Sequence, residues 1–172
     1  LEPFASPDHL DIELQKFLQD ACSLLCEWLA KAGQTGPLPS LSVLPEVAPL
    51  FEGLSSESLL EDLSLIMEGS YQPSHPGSLA HLDPPPLTGS VVADLICAGL
   101  NNNLLAEELS PSLSRLERLL CKWFAERIGM PAGAGGVAAS GGSLSNLMAL
   151  VVARNSAGLQ HDSKAVVLVS KD

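Results

Sequence analysis

Aromatic side chains are scarce, at only 4% of this 172-residue chain. The apolar total of 46% is therefore carried mainly by leucine, valine and alanine, and any core must be built from them. Basic residues are few as well. Nine Lys and Arg against twenty Asp and Glu give a formal net charge of −11, a balance that argues against nucleic acid or an anionic membrane surface as partner. Long hydrophobic runs are missing, and stretches such as Ala165 to Val169 are far too short to span a bilayer. No positively charged segment followed by an apolar one opens the sequence, so no secretory signal is read. The four cysteines, Cys22, Cys26, Cys97 and Cys121, are accordingly expected to be reduced thiols in a cytoplasmic setting. The nucleotide signatures are absent too. No Gly-x-x-x-x-Gly-Lys-Ser/Thr occurs, and Gly133-Ala134-Gly135 precedes a strand pattern instead of following it. The length suits one sizeable core or an incomplete piece of a larger one.

What is present begins with helices. Ser6-Pro7-Asp8 is a helix-start signal, and Leu10, Leu14, Phe17, Leu18, Ala21, Leu25, Trp28 and Leu29 follow at helical spacing until Gly33. Cys22 and Cys26 stand four apart on that helix. The spacing suits two metal ligands, but no second Cys/His pair lies nearby, so they read as core or boundary thiols and no metal is assigned. Residues 34–49, with four prolines, read as an extended linker. A second helix is expected from about Ser55 to Glu68, with Leu59, Leu60, Leu63, Ile66 and Met67 on its apolar side. The stretch from Tyr71 to Pro86 is a proline-stiffened loop carrying His75 and His81, more suited to a site or an interface than to a core.

A third helix runs from Thr88 to about Asn101, where Asn101-Asn102-Asn103 breaks it. Ser110-Pro111 opens a fourth. Ser114 and Glu117 stand at capping-box spacing in its first turn, and Leu113, Leu116, Leu119, Leu120, Trp123, Phe124 and Ile128 offer a broad face for burial. Then come a short strand, Val137 to Ala139, a helix from Ser143 to about Ala157, and a second strand, Ala165 to Ser170, of the kind buried in parallel sheets. Two strands do not make a stable sheet with helices on both faces, so the chain reads as the start of an α/β domain.

The turn between strand and helix, Ser140-Gly141-Gly142-Ser143-Leu144-Ser145, carries the chemistry. Unpaired N–H groups at a helix N-terminus form an anion site, and the macrodipole favours an anion there by about 0.3–2 kcal/mol. Gly141 and Gly142 keep side chains away from the backbone, while Ser140, Ser143 and Ser145 add hydroxyls. The same pattern fits an ordinary strand–turn–helix with a serine cap.

Three blocks together resemble the pyridoxal-phosphate-dependent group II amino-acid decarboxylases. His75-Pro76 followed by His81-Leu82-Asp83-Pro84-Pro85-Pro86 is similar to the family's His-Pro loop. Ser110-Pro111-Ser112-Leu113-Ser114-Arg115-Leu116-Glu117, on to Trp123, is similar to its Ser-Pro helix. Ser140-Gly141-Gly142-Ser143-x-Ser145-Asn146-Leu147 resembles its phosphate turn. The resemblance implies an α/β fold, the fold type I of pyridoxal-phosphate-dependent transferases. In that architecture residues 1–86 are a helical and loop segment that wraps a partner subunit. Residues 87–172 begin the large, mostly parallel-sheet cofactor domain of a homodimer. It implies pyridoxal 5'-phosphate as cofactor, an amino-acid substrate, and loss of the α-carboxylate as carbon dioxide. By position, Gly142, Ser143 and Ser140 would bind the cofactor, and His81 and Ser114 would face the substrate. His75 is expected to order its loop. The form of the turn leans toward glutamate-like and 2,4-diaminobutyrate-like members. The Schiff-base lysine of the family has no counterpart in this sequence, in which Lys164 and Lys171 do not match its motif. The chain is therefore read as an N-terminal fragment, inactive by itself. The alternative is a non-catalytic dimerisation or interaction module derived from the same family.

Overall fold

The computed structural model describes residues 2–171 apart from 37, 40–42, 49, 80, 81 and 83. Among these, the chain forms five α-helices and one short 3-10 helix: α1 (Ile12–Ala30), α2 (Ser56–Glu68), α3 (Thr88–Leu100), the 3-10 turn Glu107–Leu109, α4 (Pro111–Arg127) and α5 (Gly142–Ser156). It divides into two compact units, Leu1–Ile96 and Cys97–Asp172. None of the helices is long and apolar enough to cross a membrane.

In the first unit, α1 begins five residues later than Ser6-Pro7 signals. Asp11 is the cap, its carboxylate accepting the Leu14 N–H at 2.9 Å, which satisfies one of the orphan donors of the first turn. Ser6 binds His9 Nδ1 and the Asp8 N–H instead, holding a separate local turn. Leu14, Phe17, Ala21, Leu25, Trp28 and Leu29 are half-buried, as their spacing requires, but Leu10 and Leu18 are exposed. Cys22 and Cys26 are free and exposed, not core thiols. α1 packs against α2, whose cap is Ser55, accepting from the Ser58 N–H. On α2, Leu59, Leu60 and Met67 are half-buried, whereas Leu63 and Ile66 lie open.

The loop after α2 is fastened by a residue that no motif marks. Gln72 is buried, and its Nε2 donates to the Trp28 carbonyl at 3.3 Å, one of the carbonyls the end of α1 leaves without a helical partner. Its Oε1 accepts the Ser74 N–H, and its carbonyl accepts the His75 N–H. His75 closes the next turn, Nδ1 accepting the Gly77 N–H at 2.9 Å, and the Tyr71 and Ser78 hydroxyls are bonded across the loop. Replacing Gln72 by alanine leaves a part-buried carbonyl unpaired. The expected cost is about 1–3 kcal/mol of stability, measurable by urea unfolding; a change within about 0.5 kcal/mol would show that the loop is held otherwise.

α3 ends where the asparagines indicate, with Asn101 in the left-handed region (φ 44°) and its N–H bonded to the Cys97 carbonyl. In the second unit, α4 and α5 stop in the same way. Gly129 (φ 75°) and Gly158 (φ 70°) follow their C-caps. The paired bonds Gly129 N–H to Glu126 and Met130 N–H to Ala125, then Gly158 N–H to Asn155 and Leu159 N–H to Arg154, close two Schellman motifs.

The 3-10 turn is tied to α4 by a two-pronged ion pair, Arg118 to Glu107, at 2.7 and 3.2 Å. Hydrogen bonds from Arg118, and then its charge, hold the Glu107 carboxyl below its ordinary value of 4.5. Because the folded value is the lower one, the contribution is complete above the ordinary carboxylate range and disappears as pH falls through the depressed value. Both side chains are more than half exposed, so the effect is small and salt-sensitive. Glu107→Gln is expected to flatten the acid-side slope of Tm at low salt and to change nothing at high salt.

The two expected strands are not paired among the described residues, where no strand is present. A strand exists through its ladder partners, and Val137 as well as Val166 to Val169 are exposed without them.

Candidate functional site

The turn preceding α5 has the donor set of an anion site. The N-cap is Gly141, and no side chain caps the helix. The Ser145 N–H and hydroxyl both donate to the Gly141 carbonyl, at 3.0 and 3.1 Å. The Ser145 hydroxyl, expected from sequence to serve as a free donor, is thus turned back onto the helix. The N–H groups of Gly142, Ser143 and Leu144 have no hydrogen-bond partner among the described residues. A Cβ added at Gly141 or Gly142 would meet no atom within 4 Å. Ser140, Gly142 and Ser143 are all exposed. Open space, bare N–H donors and the positive end of a fifteen-residue helix together suit a doubly charged phosphate, so the residues fit the cofactor that the sequence implies.

The segment leading into this turn, residues 136–138, lies against α4. The Glu117 carboxylate of that helix accepts the Ala138 N–H at 2.9 Å. One helical turn further on, Cys121 lies under Gly136, 3.6 Å from where a Cβ would stand there. Ser114 and Ala125 are buried on the same side of the helix. The face of α4 turned inward is therefore Ser114, Glu117, Cys121 and Ala125, at the i, i+3, i+7, i+11 spacing of one stripe. This overturns the expected burial of the large apolar face: Leu116, Leu119, Leu120, Trp123, Phe124 and Ile128 are exposed. It also corrects the capping box. Neither Ser110 nor Ser114 caps α4 with its side chain, and Glu117 reaches the 136–138 segment instead of a helix N–H. Ser110 itself is fully buried, with no hydrogen-bond partner for its hydroxyl among the described residues.

Of the residues expected at the site, Gly142, Ser143 and Ser140 lie together at the start of α5. Ser114 lies in the first turn of α4, one turn before Glu117. Among the described residues no hydrogen bond joins Ser114 to the turn directly; the link runs through Glu117 and Ala138. His81 lies outside the described residues. Among those residues, no three His, Cys, Asp or Glu side chains are grouped to hold a metal.

Residues 37–168 match the pyridoxal-dependent decarboxylase conserved domain. The chain belongs to that family. The match starts well before the His-Pro loop, so it includes part of the linker and all of α2. An L-2,4-diaminobutyrate decarboxylase of Acinetobacter baumannii is 30% identical over 146 residues, 83% of this chain and 29% of that protein. A glutamate decarboxylase-like protein of Gibberella zeae is 33% identical over 105 residues, 60% of this chain and 20% of that one. The chain thus spans less than a third of these relatives. Its fold is similar to that of part of mouse CSAD in its crystal structure, with a TM-score of 0.76 at 21% identity, covering 91% of this chain and 35% of that one.

Proposed function

We propose that this chain supplies the cofactor-phosphate turn of a pyridoxal-phosphate-dependent amino-acid decarboxylase. The observation that carries this reading is the uncapped, glycine-lined N-terminus of α5 in a chain of this family. Gly142 and Ser143 hold the phosphate through their backbone N–H groups, with the Ser140 and Ser143 hydroxyls beside them. When bound, the cofactor accepts the electron pair released as the α-carboxylate departs. The residues of this chain bind and orient. Ser114, on the inward face of α4, and His81, in the His-Pro loop, face the substrate.

The substrate is an L-amino acid of glutamate-like or 2,4-diaminobutyrate-like chemistry. The working enzyme is a cytoplasmic homodimer, with residues 1–86 lying across the partner subunit and residues 87–172 opening the mostly parallel-sheet cofactor domain. The exposed valines of 166–169 are then one strand of that sheet. The 172-residue chain alone releases no carbon dioxide.

Carbon dioxide release from a panel of acidic, basic and aromatic amino acids tests the reading, with the full-length protein expected to prefer the first two classes. Replacing His81 by glutamine or tyrosine is expected to change the relative kcat/KM among substrates by about 1–3 kcal/mol with cofactor affinity unchanged. A uniform loss in step with cofactor affinity would remove His81 from the substrate site, and no release from any amino acid would remove the activity.

A further inference from the structure

The bond between Glu117 and the Ala138 N–H is a long-range tie, 21 residues apart in sequence, and it lies two residues ahead of the cofactor turn. We propose that Glu117 is a positioning residue for that turn: from α4 it fixes the height and direction at which the chain enters α5, so that the free N–H groups of Gly142 and Ser143 are set before any phosphate arrives. The inference rests on the reading of the turn as the phosphate site, and adds to it the residue that pre-organises the turn.

Three observations point the same way. The 136–138 segment lies along α4 at two successive turns, hydrogen-bonded at Glu117 and, at Gly136, so near Cys121 that an added Cβ would stand 3.6 Å from its side chain. Among the described residues no sheet ladder engages the segment, and the Ala138 N–H is taken by this side chain. The neighbouring Arg118 gives both of its hydrogen-bonding prongs to Glu107 and meets the Glu117 carboxylate only through its charge, which leaves that carboxylate's oxygen to the Ala138 N–H. A charged acceptor on a backbone N–H is among the stronger protein hydrogen bonds, and pre-organised donors are what bind a phosphate without a reordering cost at the moment of binding.

The test uses three variants of the full-length protein and three readouts: exchange of the Ala138 amide hydrogen, the dissociation constant for pyridoxal phosphate by fluorescence titration, and Tm. Glu117→Ala removes the acceptor, and is expected to speed Ala138 exchange and to weaken the cofactor by about tenfold. Glu117→Gln keeps an oxygen at the same reach and is expected to restore both to near the parent values. Glu117→Asp keeps the charge but withdraws it by one methylene. It is expected to behave like the alanine variant while remaining folded, which covers the case in which Glu117→Ala does not fold. The proposal is overturned if Ala138 exchange is unchanged in the aspartate and alanine variants. It is equally overturned if exchange rises with no loss of cofactor affinity, or if the glutamine variant loses as much as they do. Failure of the underlying reading looks different: there, Gly142→Val leaves cofactor affinity intact whatever the Glu117 variants do.

Discussion

Gly142→Val is expected to weaken pyridoxal phosphate binding by at least about a hundredfold, and to do so equally for every amino-acid substrate. Two charge-assisted bonds from N–H groups to a phosphate, at about 1.5–3 kcal/mol each, account for that factor, since each 1.4 kcal/mol is about tenfold. The valine isopropyl group stands where the phosphate must approach. The protein itself has little reason to object: a Cβ at Gly142 meets no atom within 4 Å, and the position is exposed. Gly135→Val is the matched control. A Cβ there also meets nothing, but the residue lies outside the turn, so cofactor affinity should not move. Equal losses in both variants would mean that valine harms the fold, and no loss in either would mean that the phosphate binds elsewhere.

The second large effect is expected in the segment Ala165 to Ser170. Val166 is 78% exposed and Val167 69% in this chain, yet their run of β-branched residues is that of a strand covered on both faces. In the full-length protein, Val166→Asp and Val167→Asp are each expected to destabilise by roughly 3–5 kcal/mol, the scale of an uncompensated buried charge. Because neighbouring strand residues point to opposite faces, equal damage at both positions signifies a strand buried on both sides. Damage at only one signifies a sheet open to solvent. Changes within about 0.5 kcal/mol at both, as for ordinary surface positions, would leave no place for the segment in a sheet. Denaturant unfolding of the two variants decides among these outcomes.

Local chemistry made much of the chain readable. Ser55, Ser110-Pro111 and the Ser-Gly turn mark helix starts because a serine cap, a proline in the first turn and a glycine turn are each decided within about four residues. Asn101 marks an end because left-handed backbone is a local requirement. The start of α1 was less legible: Ser6-Pro7-Asp8 has the composition of a helix start, yet Asp11 is the cap. What could not be read locally is which face meets what. The leucines, Trp123 and Phe124 of α4 signal a need for burial but not its partner, and the helix turns its small and polar stripe toward 136–138 instead. Ser114 and Glu117 have capping-box spacing, but that signature holds only where the serine is the N-cap, and the N-cap of α4 is Ser110, four residues earlier. Gln72 carries no motif at all, since its role exists only once the loop returns to the end of α1. At the candidate site, the glycine turn was legible because an anion site at a helix N-terminus is a local object. Glu117 was visible as a residue but not as the support of that turn. A glutamate set one turn after a small buried-type residue, on a helix with a separate apolar face, is the one sequence signal that hints at it.

The first turn of α5 is expected to hold the cofactor phosphate. A crystal structure of the full-length protein with pyridoxal phosphate bound tests it most directly. The expected result is a phosphate with oxygens about 2.7–3.2 Å from the Gly142 and Ser143 backbone nitrogens, on the axis of α5, with the Glu117 to Ala138 bond unchanged. A cofactor whose phosphate is held by other residues, with the α5 N-terminus capped by a side chain or facing bulk water, would contradict the account.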